Sequence, residues 1–461
     1  MKIKNVLVAV ALLINQLFGF IACATNEGEP KLAPEFKSSV PNSNATGVLI
    51  STDIEVVFDE VVSLSTNHGI KVNDELANVE ASLTKLVFTV DLNYETNYNI
   101  VIPKGAVVNT FGVPLENEIR FSFSTREGTV ISDEGMQFVG KMGVGWNLGN
   151  TLDTKNVDET KWGNPRATKE LIDAVKAKGF KTLRVPITWQ YYMGAAPNYT
   201  IQEAWFDRVE EVVNYGLDND MYVIVNIHHD EEWLIPTYAE LDRAKDQLGK
   251  IWSQIANRLN TYGDHLIFET LNETRLKDSP NEWKGGTAEG RDCINQFHQV
   301  SVDAIRNTKG NNTNRYIMVS TYAASTSEAA INDLILPSTT NLIVAVHSYF
   351  PHKFALAKTN FNTTWGTVAE KQALDAELNI IHQKFIANGI PVIMGEWGNL
   401  NHDNLQERVK HAQYYAQGCI QRGICPIWWD NGNIDYFGLI NRNTYQWMLP
   451  EIANAILRTS K

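Results

Sequence analysis

The sequence predicts an α/β protein in which a (β/α)8 barrel follows an all-β sandwich domain. Residues 36–125 consist of short, alternating, β-branched segments separated by Asn, Gly and Asp, without a useful amphipathic helical stretch. From residue 136 onward, short apolar runs alternate with helical segments eight times. A chain of 461 residues is long enough for both domains. The third observation is that polar residues collect where the apolar runs end.

Residues 1–23 indicate a targeting segment. A basic start precedes a mostly apolar run over 6–22, which is short for a membrane span and typical of a signal-peptide core. The segment ends in an Ala-Cys pair that resembles a bacterial lipobox with Cys23 as the lipidated residue, although Phe20 stands where Leu is usual. We therefore expect an exported protein, an outer-membrane or cell-surface lipoprotein, with secreted or periplasmic protein as the alternative.

The sandwich lies between two linkers. Residues 24–35 are polar and predict a tether, and residues 126–135 predict a second linker. The segments PNSNATGV, LNYETNYNIVIPKGAV and FGVPLENEIRFSFST together resemble the bacterial Ig-like domains attached to secreted proteins. We interpret 36–125 as a spacer, since it carries no row of aromatic residues that would indicate a sugar-binding surface.

The barrel is predicted over residues 136–461. Its eight candidate strands are 143–148, 182–187, 222–227, 265–271, 315–320, 342–346, 391–395 and 424–429. Segments such as ATKELIDAVKAKG, AWFDRVEEVVNYGLDN and LGKIWSQIANRLNTYG predict helices between them. A doubly wound sheet would also give this alternation, but eight units and the distribution of polar residues favour the closed barrel.

Charge and cysteine content exclude several classes of protein. Forty Lys and Arg residues against 53 Asp and Glu give a net charge of −13, and the lack of a basic run argues against nucleic-acid binding. Beyond the leader, Cys293, Cys419 and Cys425 form neither a disulfide framework nor a metal motif. We expect no metal or organic cofactor, a monomer, and membrane contact only through Cys23.

The residues at the strand ends form the candidate site, because strand ends of a barrel converge on one face. In chain order they are Asn147 and Asn150, Arg184, His228 and His229, Asn272 and Glu273, His347 and Tyr349, Glu396, and Trp428, Trp429 and Asp430. Two glutamates at one barrel mouth predict an acid/base and a nucleophile acting on a glycosidic bond.

Each of these residues also has an ordinary structural interpretation. The two glutamates could be buried charges that pair with Arg184. The adjacent His228 and His229 could bind a metal, but consecutive side chains on an extended strand point to opposite faces, which favours hydrogen bonding to sugar instead. The same alternation predicts that one of the two final tryptophans lies in the core and the other faces the pocket.

The motifs GWNLGNTLDT, WGNP, FKTLRVPITW, YVIVNIHHD, FETLNE, HSYFP, PVIMGEWG and WWDNG resemble glycoside hydrolase family 5, most of all its subfamily 4. The resemblance covers about residue 140 to the C-terminus and implies a TIM barrel and a retaining endo-β-1,4-glucanase, a group that includes xyloglucanases and lichenases. It implies Glu273 as acid/base and Glu396 as nucleophile. It implies substrate or site contacts for Asn150, Arg184, His228, His229, Asn272, His347, Tyr349 and Trp429.

Two alternatives stay open at this point. The first is an endo-β-mannanase or another β-glycanase, although NIHHD and WWDNG favour glucan. The second is a surface glycan-binding lipoprotein with an inactive barrel, which predicts the loss of a catalytic glutamate. For an active pair, we expect the proximity of two carboxyls to raise the pKa of Glu273 and Arg184 to lower that of Glu396.

Overall fold

The computed structural model describes residues 32–48, 52–90, 92–93, 96–125, 134–337 and 339–458. The chain divides into two compact units, 1–126 and 127–461. Cys23 and the targeting segment lie outside the described residues, as does most of both predicted linkers. Within the described ranges, no helix is both long and apolar enough to span a membrane.

The first unit is a β-sandwich. Its strands are β1 (Phe36–Val40), β2 (Ala45–Val48), β3 (Ile54–Phe58), β4 (Val62–Leu64), β5 (Lys71–Val72), β6 (Glu75–Leu76), β7 (Asn78–Ser82), β8 (Lys85–Thr89), β9 (Asn97–Ile102), β10 (Val107–Asn109) and β11 (Ile119–Thr125). One sheet has the order β1-β3-β8-β7, a second has the order β2-β11-β9-β5-β6, and β10 pairs with β4.

The sandwich core follows directly from the alternating pattern in the sequence. In β3, residues Ile54, Val56 and Phe58 are buried while the residues between them are partly exposed. Phe121 and Phe123 of β11 contribute in the same way. Alternate residues of a strand lie on opposite faces, so each sheet presents one apolar face to the other.

The second unit contains a closed barrel of eight parallel strands in sequential order. They are β12 (Gly145–Leu148), β13 (Thr182–Val185), β14 (Tyr222–Asn226), β15 (Leu266–Glu269), β16 (Ile317–Ser320), β17 (Leu342–His347), β18 (Val392–Trp397) and β19 (Ile424–Asp430). Each lies on one of the eight predicted strands, so the (β/α)8 prediction is confirmed.

Helices surround the barrel. They are α1 (Glu134–Met142), α2 (Lys169–Lys178), α3 (Glu203–Leu217), α4 (Leu241–Arg258), α5 (Ala288–Asn307), α6 (Glu328–Asn332), α7 (His352–Ala355), α8 (Val368–Lys384), α9 (Leu405–Gln421) and α10 (Pro450–Arg458), with 3₁₀ turns at Gln190–Tyr192, Gly310–Thr313, Tyr322–Ala324 and Ile386–Asn388. Thr168 and Thr287 cap α2 and α5, and Thr367 forms a capping box with Glu370 at α8.

Helix α1 begins at Glu134, so residues 134 and 135 belong to a helix and not to the linker predicted over 126–135. The helix extends this far because its apolar face packs on the barrel. Phe138, Val139 and Met142 join one buried cluster with interior strand residues such as Ile224 and Ile267. Helix α1 therefore covers apolar residues of the barrel interior.

The barrel interior changes from apolar to polar along the strands. Arg184 lies opposite Ile224, and two residues further along, Asn226 pairs in register with Glu269. All four of these side chains are essentially inaccessible to solvent. Burying a charged side chain lowers the stability of a fold unless the charge is paired. A buried polar layer at the carboxyl ends of the strands therefore indicates a functional site.

Candidate active site

The two predicted glutamates lie close together at the carboxyl-end face of the barrel, although β16 and β17 separate their strands. Glu396 belongs to β18, and Glu273 follows β15. His347, the last residue of β17, lies between them. Its Nδ1 is 2.9 Å from Oε1 of Glu273 and 3.8 Å from Oε1 of Glu396. One oxygen of each carboxyl group lies within 4.8 Å of the other.

Arg184 connects the site below the glutamates. Its Nη1 donates to Glu396 Oε1 at 2.8 Å and to Asn147 Oδ1 at 2.9 Å, and its Nη2 donates to Asn272 Oδ1 at 2.8 Å. Its Nε donates to Glu269 Oε2 at 2.8 Å. Burial acts against the charge on Arg184, but Glu269 and Glu396 outweigh it and raise the pKa, so the guanidinium stays charged.

Glu396 accepts a second hydrogen bond from the opposite side. The hydroxyl of Tyr349 donates to its Oε2 at 3.0 Å. Burial and the adjacent Glu396 raise the pKa of Tyr349 well above its usual range, so this hydroxyl remains a donor. Burial also raises the pKa of Glu396 itself, because His347 and Arg184 offset only part of the desolvation. Both oxygens of the carboxyl group are thus held in place.

Glu273 has a different environment from Glu396. Burial acts to raise its pKa, but the hydrogen bond with His347 and the charge of that ring outweigh burial and lower it. This order, with the pKa lowered at Glu273 and raised at Glu396, is the reverse of the sequence expectation. The reason is that His347 lies closer to Glu273 than to Glu396, which an argument from two isolated carboxyls and Arg184 does not include.

Asn272 and His228 form the adjoining wall. The side-chain amide of Asn272 lies 3.4 Å from His228 Nε2, while its carbonyl oxygen accepts from Arg184. The side-chain amide nitrogen of Asn226 lies 3.1 Å from His228 Nδ1. Burial lowers the pKa of His228 well below its usual range, so the ring is neutral. His229 is less buried and its Nδ1 contacts Glu231 at 3.2 Å.

His228 and His229 do not point to opposite faces as the sequence argument assumed. Strand β14 ends at Asn226, so both rings lie beyond the extended segment, with centroids 4.4 Å apart. Together with Asp153 they bring three candidate ligand atoms within 4.8 Å. However, the side-chain amide of Asn226 contacts His228 Nδ1, and the side-chain amide of Asn272 contacts His228 Nε2. Both ring nitrogens of His228 therefore already have protein partners.

Trp428 and Trp429 divide between core and pocket, as alternation predicts. Trp428 is fully buried and donates from Nε1 to the carbonyl of Phe437. Trp429 faces a cleft and lies parallel to His228, with ring centroids 6.0 Å apart and an interplanar angle of 1°. A Cβ atom at position 149 would come within 2.7 Å of the Trp429 ring, so Gly149 allows the indole to lie against the backbone.

The cleft has a volume of about 740 Å³, and Trp429 and Asn150 are among its lining residues. Asn150 adopts a left-handed conformation with φ of 55°, which Asn tolerates, and its N–H donates to Asp153. Trp162 and Tyr436 also line this cleft and are 40% and 38% exposed. Aromatic faces beside polar side chains suit stacking and hydrogen bonding of a sugar chain.

The structure brings together all the predicted site residues that it describes, and it adds several that the sequence argument missed. Glu269 and Asn226 form the polar layer below Arg184. Asp430, which the strand-end pattern had already indicated, organises the loop that follows β19 through Arg442. A signal for Glu269 was available, since it is a charged residue inside the otherwise apolar run of β15. Trp162 gives no comparable signal because its exposure depends on loop conformation.

Two glutamates lie at the carboxyl ends of the strands of this (β/α)8 barrel, beside an aromatic cleft, and each is held by hydrogen bonds from other residues. This arrangement defines a glycoside hydrolase. The comparisons with known proteins agree. Residues 145–435 match the family described as cellulase (glycosyl hydrolase family 5), and residues 30–125 match the bacterial Ig-like domain. The chain belongs to glycosyl hydrolase family 5 and is a cellulase-type enzyme.

Individual relatives support this assignment. The chain is 48% identical over 329 residues to cellulase/esterase CelE of Acetivibrio thermocellus, a match that covers 70% of this chain and 40% of that protein. It is 47% identical over 343 residues to endoglucanase B of Clostridium cellulovorans, covering 73% and 78%. The solved structure of ZgEngAGH5_4 in complex with a cellotriose has a TM-score of 0.69 and 58% identity, covering 70% and 98%. The chain thus spans less than half the length of CelE.

Proposed function

We propose that this chain is a retaining endo-β-1,4-glucanase in which Glu396 is the nucleophile and Glu273 the acid/base. The observation that carries the proposal is the spacing of the two carboxyl groups. One oxygen of each carboxyl group lies within 4.8 Å of the other, which is closer than the separation of about 6.5–9.5 Å between the carboxyl groups of inverting enzymes. Retaining enzymes, in contrast, hold the two groups about 5–5.5 Å apart.

In the first step Glu396 attacks the anomeric carbon while the glycosidic bond breaks, and Glu273 protonates the leaving oxygen. Arg184 and Tyr349 donate to separate oxygens of Glu396, which supports its ionised form and fixes its orientation. A glycosyl-enzyme ester results. In the second step Glu273 takes a proton from water, the water oxygen bonds to the anomeric carbon, and Glu396 leaves as a carboxylate.

Glu273 must carry a proton when it acts as the acid. In the free site its hydrogen bond with His347 Nδ1, 2.9 Å away, lowers its pKa. A bound sugar excludes water, and loss of water favours the neutral form of a buried carboxyl group. Substrate binding therefore raises the pKa of Glu273, so that it can deliver a proton to the leaving group.

The substrate is a β-1,4-linked glucan: cellulose-type glucan, mixed-linkage β-glucan or xyloglucan. The curated relatives named endoglucanases and the cellotriose held by ZgEngAGH5_4 support this class. The long open cleft beside Trp429 suits attack within a chain. An inactive glycan-binding barrel is disfavoured, since Glu273 and Glu396 both keep their hydrogen-bond partners.

The test is product release by residues 24–461 from xyloglucan, barley β-glucan, carboxymethylcellulose and mannan, with the anomeric configuration of new ends followed by NMR. We expect β-configured products from the glucans and no turnover by Glu396→Gln. Glu273→Gln should retain cleavage of aryl cellobiosides with good leaving groups, which need little protonation. Inverted products, activity on mannan alone, or substantial activity of Glu396→Gln would contradict the proposal.

We propose further that the protein is exported, carries a lipid on Cys23, and acts as a monomer with the Ig-like domain as a spacer. The signal-like residues 1–23 support export, and the fact that one chain supplies every predicted site residue supports a monomer. Metabolic labelling with tritiated palmitate should mark the full chain and a Cys293→Ser control but not Cys23→Ser. Labelling of Cys23→Ser would refute the anchor, and a light-scattering mass of two chains would refute the monomer.

A further inference from the structure

Glu269 is a third glutamate at the site, placed below the two that face the cleft. It ends β15 and is completely buried. Its Oε2 accepts from Arg184 Nε at 2.8 Å and from Asn226 Nδ2 at 2.9 Å. Its Oε1 has no hydrogen-bond partner among the described residues. A carboxylate buried only to stabilise the barrel would be expected to satisfy both oxygens.

Arg184 is shared between Glu269 and Glu396. Its Nε edge contacts Glu269, and its Nη1 contacts Glu396 at the same distance, 2.8 Å. One guanidinium therefore faces two buried carboxylates and cannot neutralise both. The remaining partners of Arg184 are the uncharged side chains of Asn147 and Asn272.

We propose that Glu269 is a positioning residue for the nucleophile, which anchors the guanidinium of Arg184 and divides its charge with Glu396. This inference rests on the double displacement proposed above. With Glu269 in place, Arg184 keeps a charged partner throughout the cycle. When Glu396 becomes a neutral ester, the buried cation still pairs with Glu269.

Without the charge of Glu269, ionised Glu396 in the free enzyme would be stabilised, whereas the glycosyl-enzyme ester would be destabilised. Arg184 would pair fully with ionised Glu396 in the free enzyme and make it a weaker nucleophile. In the ester, Arg184 would remain as a buried cation with only amide oxygens around it, which is strongly unfavourable. Glu269 thus favours formation of the glycosyl-enzyme.

Asn226 extends the role of Glu269 to the cleft wall. The same amide group that donates to Glu269 also contacts His228 Nδ1. Glu269 thereby helps to fix the neutral His228 ring beside Trp429. One buried carboxylate supports both the nucleophile and the wall beside it.

The test is Glu269→Gln, which keeps the shape of the side chain and removes its charge. With 2,4-dinitrophenyl β-cellobioside, we expect kcat/KM to fall at least about tenfold, and its acid limb to move about 1–2 pH units lower, the usual effect of a removed neighbouring charge. Any pre-steady-state burst of dinitrophenol should disappear because formation of the ester has become limiting. The charged or titratable groups facing Glu396 are Arg184, His347, Glu273 and Tyr349, and Arg184 alone of these also contacts Glu269.

Two variants separate positioning from folding. Glu269→Asp keeps the charge, so its acid limb should stay within about 0.3 pH units of the wild type even where kcat falls. Asp375→Asn removes a carboxylate from another fully buried arginine, Arg422, and should lower the melting temperature without moving the acid limb. A Glu269→Gln enzyme that folds with an unchanged acid limb would overturn the inference.

Failure of the proposed function gives a different result. If the wild-type enzyme itself gives inverted products, the double displacement is wrong whatever Glu269 does. If the wild type retains configuration and Glu269→Gln matches it in kcat/KM and pH profile, only the role of Glu269 is refuted. If Glu269→Gln does not fold, the acid limb of Glu269→Asp decides, since a shift as large as 1–2 pH units in a charge-conserving variant would contradict charge sharing.

Discussion

A single methyl group at Gly395 should uncouple His347 from the acid/base. Gly395 precedes Glu396 in β18, and a Cβ atom there would lie 2.9 Å from His347 Nε2, 3.2 Å from its Cδ2 and 3.8 Å from Arg184 Nε. Ordinary contacts between such atoms begin near 3.4 Å, so the imidazole must move by about 0.5 Å. His347 is 6% exposed and cannot move without changing its 2.9 Å contact with Glu273.

The size of the effect follows from these distances. Overpacking a buried position costs about 1–3 kcal/mol, which corresponds to a fall in Tm of about 1–4 °C for a unit as large as residues 127–461. A displacement of 1 Å in a catalytic group costs about 100-fold in rate. For a shift of about half that size we expect Gly395→Ala to lose about 10–100-fold in kcat, with KM little changed.

The assay compares an aryl cellobioside with a poor leaving group against one with a good leaving group. The loss should be concentrated on the poor leaving group, because only that substrate depends on protonation by Glu273. Gly418→Ala is the matched control, since its added Cβ would lie 3.0 Å from Leu378 in the packing of α9 on α8, without contacting the site. The role assigned to His347 would be refuted if both substrates lost rate equally. It would also be refuted if Gly395→Ala lowered Tm without lowering the rate on either substrate.

Three further outcomes are expected. The acid limb of wild-type kcat/KM should lie above the usual glutamate pKa of about 4.3, since burial raises the pKa of Glu396 and the ionised form is needed; a limb at or below 4.3 would contradict this. Tyr349→Phe removes a 3.0 Å hydrogen bond that orients the nucleophile, so kcat/KM should fall about 10–150-fold; the free energy of unfolding in urea should fall by no more than about 1.5–3 kcal/mol, the worth of a hydrogen bond to a charged group. Burial raises the pKa of Asp230 to about 6, above its unfolded value. The free energy of unfolding should therefore fall as pH rises from about 4 to 6, and Asp230→Asn should remove about 3 kcal/mol of this fall in urea titrations.

The fold was largely predictable from local patterns. Each barrel strand is a short apolar run between polar residues, and sandwich strands such as β3, β9 and β11 alternate, so period and length identified both domains. The ends of elements were less predictable, because tertiary packing determines them. Helix α4 begins at Leu241 although the predicted segment starts at 248, and α1 extends back to Glu134 because its apolar face meets the barrel.

The candidate site was predictable where strand ends converge, and not where the side chains organise one another. Position along a strand identifies Glu273 and Glu396 as neighbours, but it does not give the location of His347 between them. The pKa order of the pair therefore came out reversed. The adjacent rings of His228 and His229 were placed wrongly because β14 ends at Asn226, before either histidine, so strand alternation does not apply to them.

The cleft depends on the two ends of the barrel sequence. Strand β12, the first of the barrel, pairs with β19, the last, and sets Asn147 opposite Trp429. The loop after β12 provides Asn150 and Trp162, and the loop after β19 provides the opposite wall, with Arg442 donating to the carbonyl of Gly149. Neither half of the barrel can form this surface before ring closure. A glucan chain that contacts both loops therefore favours the closed barrel over any form in which β12 and β19 have separated. Bound substrate should thus protect the enzyme from unfolding most strongly at the β12–β19 pair.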